Sequence, residues 1–212
     1  MKLLRFENRY CDSSTDLLRK GIEGKMTEHF VGKYEVEYKF RVKAHDLLLQ
    51  RLISLGASEF VVNNREQDTY YEMADHALAQ QKISMSVRSM EPSGIKLWIV
   101  KGPGDDRCEA VNVESVEKTD SMLRTLGYRA AFEIAKQRSI YFYQQFHITL
   151  DSVSELGCFA EIAVMTNDVD QLETLRHQCL ELGVKLGLNG VDIEPRSYRQ
   201  LLGHNELNQC LG

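Results

Sequence analysis

The chain has 212 residues, 43% hydrophobic and 27% charged, an ordinary composition for a globular protein with one sizeable domain. Asp and Glu total 31 against 26 Lys and Arg, and the resulting net charge of −5 argues against a nucleic-acid-coating protein while leaving room for a locally basic site. No apolar run approaches the roughly 20 residues that cross a bilayer. The five cysteines and six histidines form no C-x-x-C or His i,i+4 pair, which argues against a zinc site or disulfide framework and fits a reducing cytoplasm.

Residues 1–25 are polar and without sustained period, and no signal-peptide-like apolar region follows Met1–Arg5. They are expected to form a loosely ordered extension, with Met26 the more natural start of a domain over 26–203. Residues 204–212 are expected to form a frayed tail.

Residues 35–43 open that domain as Glu-Val-Glu-Tyr-Lys-Phe-Arg-Val-Lys. Charged and apolar residues alternate strictly, which predicts a β-strand. One face carries Glu35, Glu37, Lys39, Arg41 and Lys43. Neighbours on such a face stand roughly 6.6–6.8 Å apart, so a metal held by Glu35 and Glu37 would lie beside the Lys39 ammonium. Divalent metal next to fixed positive charge suits a polyphosphate. A solvated strand face is the plain alternative, and the rest of the chain decides between them.

Helical periodicity covers about 45–55, 115–126 and 168–186. Ser115 and Asp168 suit N-caps, and Gly56, Gly127 and Gly183 suit C-caps. Between these lie short β-like runs at 59–62, 67–72, 82–89, 95–101, 107–113, 132–143, 146–151 and 158–165. About eight short strands with three helices predict a mainly β α+β fold, an antiparallel barrel or sheet flanked by helices. A weak repeat supports two equivalent halves. A shift of 71 residues lays Leu55-Gly56 on Leu126-Gly127, Tyr70-Tyr71 on Tyr141-Phe142, and Arg65 on Lys136.

Basic residues sit inside several apolar strand patterns: Arg88, Lys96, Lys101, Lys136 and Arg138. Singly, each reads as a surface residue snorkelling at a strand end. Together they describe a polar interior that holds an anion. Asp151 ends one strand, and Glu161 interrupts the apolar run 158–165, where a carboxylate must be paired, metal-bound or wet. Glu109 is a weaker instance. No P-loop or G-x-S-x-G motif is present, and Gly102-Pro103-Gly104 reads as a turn because proline removes a donor. Trp98 reads as wall packing.

Glu35-x-Glu37-x-Lys39 is similar to the E-x-E-x-K signature of the CYTH, or triphosphate tunnel, superfamily. With 83–88, 92–104, 136–141, 159–161 and 194–202, the chain over about 26–203 resembles the bacterial class IV adenylyl cyclases. The resemblance implies a closed antiparallel β-barrel with a polar tunnel, and a homodimer. It implies ATP as substrate, converted to 3′,5′-cyclic AMP and pyrophosphate, with Mg²⁺ or Mn²⁺ as cofactor. Glu35, Glu37 and Glu161 match metal-associated positions. Lys39, Arg88, Lys101, Lys136 and Arg138 match the cations that hold the triphosphate. Glu35, Lys39 and Asp151 are the residues put forward for the chemistry itself. A triphosphatase of the same fold, or a polyphosphate-binding module without catalysis, are the rival readings. The extension 1–25 departs from the family pattern.

Overall fold

The computed structural model describes residues 29–203, so the expected extension at 1–25 and tail at 204–212 lie outside the described residues. Eight strands form one antiparallel sheet. They are β1 (Tyr34–Val42), β2 (Ser58–Glu72), β3 (Ser84–Glu91), β4 (Ile95–Lys101), β5 (Cys108–Asn112), β6 (Arg129–Tyr143), β7 (Phe146–Val153) and β8 (Gly157–Thr166). The helices are α1 (Asp46–Ser54), α2 (Ala77–Gln80), α3 (Val116–Thr125), α4 (Leu172–Lys185) and α5 (Tyr198–Leu201). The runs 59–62 and 67–72 merge into the single strand β2, joined through polar residues 63–66.

The expected C-cap glycines hold in two of three helices, and both expected N-caps act, Asp168 accepting from Asp170 N at 3.0 Å in the turn that enters α4. Ser115 Oγ accepts from Lys118 N at 3.1 Å, and Gly56 and Gly127 follow α1 and α3 with φ of 80° and 95°, where an L side chain would be strained. In α4 the expected cap is displaced. Gly183 lies inside the helix, where Phe40 packs so closely that a Cβ would stand 3.2 Å from its ring, and Gly187 (φ 74°) follows the true end. The sequence offers Leu-Gly twice there, and the burial of Leu182 carries the helix past the first.

Strand order is β1-β8-β7-β6-β2-β3-β4-β5. Exchanging β1–β4 with β5–β8 leaves this order unchanged, so the expected two halves are present. Both β2 and β6 have 15 residues and pair at the centre. The residue correspondence differs from the expected shift of 71. Arg65 is exposed and Lys136 is buried, so they face opposite ways. On β2 it is Glu66 that pairs with Lys136, one residue off the expected correspondence, and a one-residue slip exchanges a strand's faces.

The helices cover one face of the sheet. Val36, Phe40, Ile148, Leu150, Ile162 and Val164 pack with Leu48 and Leu52 of α1 and with Leu175, Cys179 and Leu182 of α4. Tyr71, Met85 and Val87 pack with Leu123 of α3. Fully burying one such aliphatic side chain is worth about 1.5–3 kcal/mol, so this face fixes the register of the strands it covers. Trp98 belongs to the second cluster, as wall packing requires.

The other face is polar, and the sheet curls around it. Lys101 of β4 lies 2.7 Å from Glu35 of β1, although five strands separate β4 from β1 in the sheet. The edge strands meet at one end. Tyr34 and Arg107 form an isolated antiparallel bridge. Glu35 N donates to Asp106 O at 2.8 Å and Cys108 N to Lys33 O at 3.1 Å. The observed architecture is therefore an eight-stranded antiparallel curled sheet, mainly β, with flanking helices.

Candidate functional site

The alternation that buries Val36 and Phe40 turns Glu35, Glu37 and Lys39 into the curl. The register then sets their neighbours. Lys39 stands opposite Glu161 across β1–β8, and Thr149 of β7 stands opposite Glu161 on its other side. Arg138 pairs with Asp151 across β6–β7, Lys136 with Glu66 across β2–β6, and Arg88 with Asp68 across β2–β3. The five cations and four carboxylates implied by the family resemblance thus enter one trough. Lys96 and Glu109 do not. Lys96 donates to Glu114 O at 3.4 Å, and Glu109 pairs with Arg107 at 2.6 Å on the surface.

The trough is densely paired. Arg138 grips Asp151 through two nitrogens and reaches Glu161 at 2.6 Å. Arg88 binds Asp68 bidentately at 2.7 and 2.8 Å and Glu66 at 3.0 Å. Lys136 lies 2.5 Å from Glu66 and 3.6 Å from Asp68. Lys39 lies 3.8 Å from Glu161 and donates to Arg196 O at 3.1 Å. Thr149 donates to Glu161 at 3.2 Å.

Charge sets the protonation of these groups. Burial pushes Glu161 up, but Arg138 and then Lys39 outweigh it and bring its pKa down to about 2. Burial likewise opposes Lys101 and His147 at Glu35, which they hold well below the usual carboxylate range. Glu37 behaves differently. Burial raises its pKa, the Glu161 carboxylate raises it further, and Lys101, 3.6 Å away, only partly compensates. Its side chain is 29% exposed, at the rim of the trough. A cavity of about 300 Å³ opens there beside Glu35, Glu37 and Lys101 and extends to Arg107 and Arg176. Lys39, Arg88, Lys136 and Arg138 do not border it; its wall continues along β1 through Val36 and Tyr38 toward α4. Gly102 makes the turn that places Lys101. Its φ is 92°, and a Cβ would meet Lys82 O at 2.2 Å.

Five residues of the trough were not singled out from the sequence: Glu66, Asp68, His147, Thr149 and Tyr198. His147 Nε2 lies 3.4 Å from Glu35, and its ring packs against Phe30. Tyr198 of α5 donates to Asp151 at 2.7 Å, and the Lys39 and Lys136 ammoniums lie 4.5 and 5.1 Å from its ring centroid. The segment carrying it is tied to β1 by Glu194 N donating to Lys39 O at 2.8 Å. His147 and Thr149 share the two-residue spacing of Asp151 along β7, which is the signal that could have found them.

A family model, the CYTH domain, matches residues 33–198. The chain belongs to the CYTH domain family. Adenylate cyclase CyaB of Aeromonas hydrophila is 47% identical over 175 residues, 82% of this chain and 92% of that one. A solved structure from Vibrio parahaemolyticus, described as a candidate adenylate cyclase, is 42% identical and superposes with a TM-score of 0.79, covering 82% of this chain and 99% of that one. A candidate adenylyl cyclase from Hippeastrum, described as having a dominant triphosphatase activity, shares the fold at 12% identity and a TM-score of 0.55, over 80% of this chain and 94% of that one. Among the described residues no helix is long and apolar enough to cross a membrane.

Among the described residues no three His, Cys, Asp or Glu side chains are grouped so as to hold a metal unaided. The donors nonetheless fit Mg²⁺ or Mn²⁺. These ions take oxygen ligands, and Mg²⁺ is usually held by one or two carboxylates with substrate phosphates completing the shell. Glu37 is a rim carboxylate crowded by other carboxylates, a tension that a divalent cation would relieve.

Proposed function

We propose that this chain is an adenylate cyclase that converts ATP to 3′,5′-cyclic AMP and pyrophosphate. The observation that carries the reading is the 47% identity, over most of both chains, to a protein named adenylate cyclase CyaB. The trough supports it, because five cations from β1, β3, β4 and β6 converge there. In this reading the curl acts as a closed barrel around a tunnel, which the joined edges at Tyr34 and Arg107 favour.

Lys39, Arg88, Lys101, Lys136 and Arg138 bind the triphosphate by charge-assisted hydrogen bonds. Glu37, with Glu35 and Glu161, would hold Mg²⁺ or Mn²⁺. The ion, when bound, polarises the α-phosphate and lowers the pKa of the ribose 3′-hydroxyl. Lys39 bridges the two functions, since it touches Glu161 and faces the phosphate path. Asp151 orients Arg138 and receives the Tyr198 hydroxyl. Held well below the usual carboxylate range by Lys101 and His147, Glu35 is a weak proton acceptor, so its contribution is electrostatic positioning. A homodimer is the expected assembly, checked by sedimentation equilibrium.

The test is product analysis of purified protein with ATP and Mg²⁺ or Mn²⁺. Cyclic AMP with pyrophosphate is expected. Orthophosphate without cyclic AMP under either metal would make the chain a triphosphatase. Triphosphate binding without any product would make it a binding module.

A further inference from the structure

Arg88, Lys136 and Arg138 are the cations a triphosphate needs, yet two carboxylates on the trough floor already engage them. Glu66 and Asp68 lie outside Glu35-x-Glu37-x-Lys39 and outside the set that would hold metal. Both are shut off from water, at 0% and 1% exposure. Glu66 faces three cations at once: Lys136 at 2.5 Å, Arg88 at 3.0 Å and Arg138 at 3.6 Å. Its two oxygens nevertheless accept no aligned hydrogen bond among the described residues. Asp68, by contrast, takes a full bidentate grip from Arg88.

Buried ion pairs of this kind return little net stability for the desolvation they cost. A floor of bare cations would have another consequence. It would bind pyrophosphate as firmly as it binds the triphosphate of ATP, and uniform tightness of that kind slows turnover through product release.

We propose that Glu66 and Asp68 are positioning residues that serve as a fixed internal counter-charge. They hold Arg88, Lys136 and Arg138 at their spacing when no phosphate is present. They also compete with phosphate oxygens for those cations, so that the trough binds polyphosphate moderately and lets pyrophosphate leave. This inference rests on the cyclase reading and concerns the same trough.

Calorimetry with pyrophosphate and with tripolyphosphate, on the full chain in metal-free buffer, tests it. Glu66→Gln removes the competing charge while keeping the shape. It should tighten pyrophosphate binding on the order of tenfold to hundredfold, and Asp68→Asn should act in the same direction. With ATP, kcat and KM should fall together, a pattern that a merely loosened structure does not produce. Unchanged or weaker pyrophosphate binding in both variants overturns the proposal. Where a variant is unfolded without anion, return of a cooperative melt on adding tripolyphosphate supports it, and failure to return overturns it. Lys136→Ala separates this proposal from the reading beneath it. If Lys136→Ala loses tripolyphosphate binding while Glu66→Gln gains none, the counter-charge fails and the trough remains the polyphosphate site. If Lys136→Ala binds as the native chain does, the polyphosphate reading of the trough fails as well.

Discussion

Arg138→Met removes the cation on which the inner trough depends and keeps an unbranched side chain in its place. Arg138 holds Asp151 and Glu161 and lies 3.6 Å from Glu66, and these three carboxylates are 0%, 6% and 0% exposed. Breaking a buried pair from one side typically costs about 3–5 kcal/mol. A second route gives a similar figure. Bringing Glu161 from its ordinary value of 4.5 to about 2, with Arg138 the leading favourable cause, is worth on the order of 3 kcal/mol. The sign of the pH dependence follows. In the native chain the folded pKa of Glu161 lies below its unfolded value. Its contribution is therefore complete above about pH 4.5 and is lost as pH falls toward 2. In the variant Glu161 loses the leading cause that lowers its pKa while burial still raises it, so acid relieves part of the penalty. Urea denaturation followed by circular dichroism should show a loss of about 3–5 kcal/mol at pH 7 and a clearly smaller one at pH 4. A loss below about 1 kcal/mol at pH 7, the scale of a surface pair, would refute the reasoning, as would a loss independent of pH.

Glu37→Ala and Glu161→Ala should each abolish turnover with circular dichroism unchanged, and near-native activity of both at saturating Mg²⁺ or Mn²⁺ would remove them from the metal site. Arg88→Ala and Lys101→Ala should weaken ATP use by about 1.5–3 kcal/mol in kcat/KM, whereas Lys185→Ala, exposed at the end of α4, should change little; equal small effects would return both trough residues to a surface role. Tyr198→Phe loses the hydrogen bond to Asp151 but keeps the ring beside Lys39 and Lys136, so it should cost about 1–2 kcal/mol of stability, and Tyr198→Ala more. Indistinguishable melting curves for these two variants would show that the ring does not support the ammoniums.

Legibility in the sequence depended on whether one face of a strand was apolar. Residues 35–43 show their charge pattern because every even position feeds the core beneath α4 and α1, and Glu161 stands out because its neighbours are buried under the same helices. Glu66 and Asp68 repeat the spacing of Glu35 and Glu37, yet Arg65, Gln67 and Thr69 on the opposite face are polar too, so no hydropathy alternation marks them. On that outer face Gln67 and Thr69 bond to Glu133 of β6 rather than entering a core. Tyr198 follows the last strand and α4, and no local period tells that its segment folds back over the trough. That placement is a tertiary fact, made by the backbone bond from Glu194 to Lys39.

The two halves of the sheet explain why so many charges can be buried together. On the polar face Glu66 and Asp68 of β2 take the places that Lys136 and Arg138 hold on β6, and Arg88 of β3 takes the place that Asp151 holds on β7. The same cross-strand pair thus occurs twice with its polarity reversed: acid on β2 with base on β3, base on β6 with acid on β7. Across β7, β6, β2 and β3 the floor alternates acid, base, acid, base. Like charges directly opposite destabilise a sheet and opposite ones support it, so a copied half with identical charges would have set β2 and β6 against each other at the central pairing. Reversal turns that seam into the Glu66–Lys136 contact. The edges break the symmetry. From β1 the trough receives Glu35, Glu37 and Lys39, while β5 has only five residues and is exposed beyond Cys108. The surplus carboxylates therefore collect on one side of the trough, beside Lys101 and the opening, which is the side on which the proposed cyclase reading puts the divalent cation.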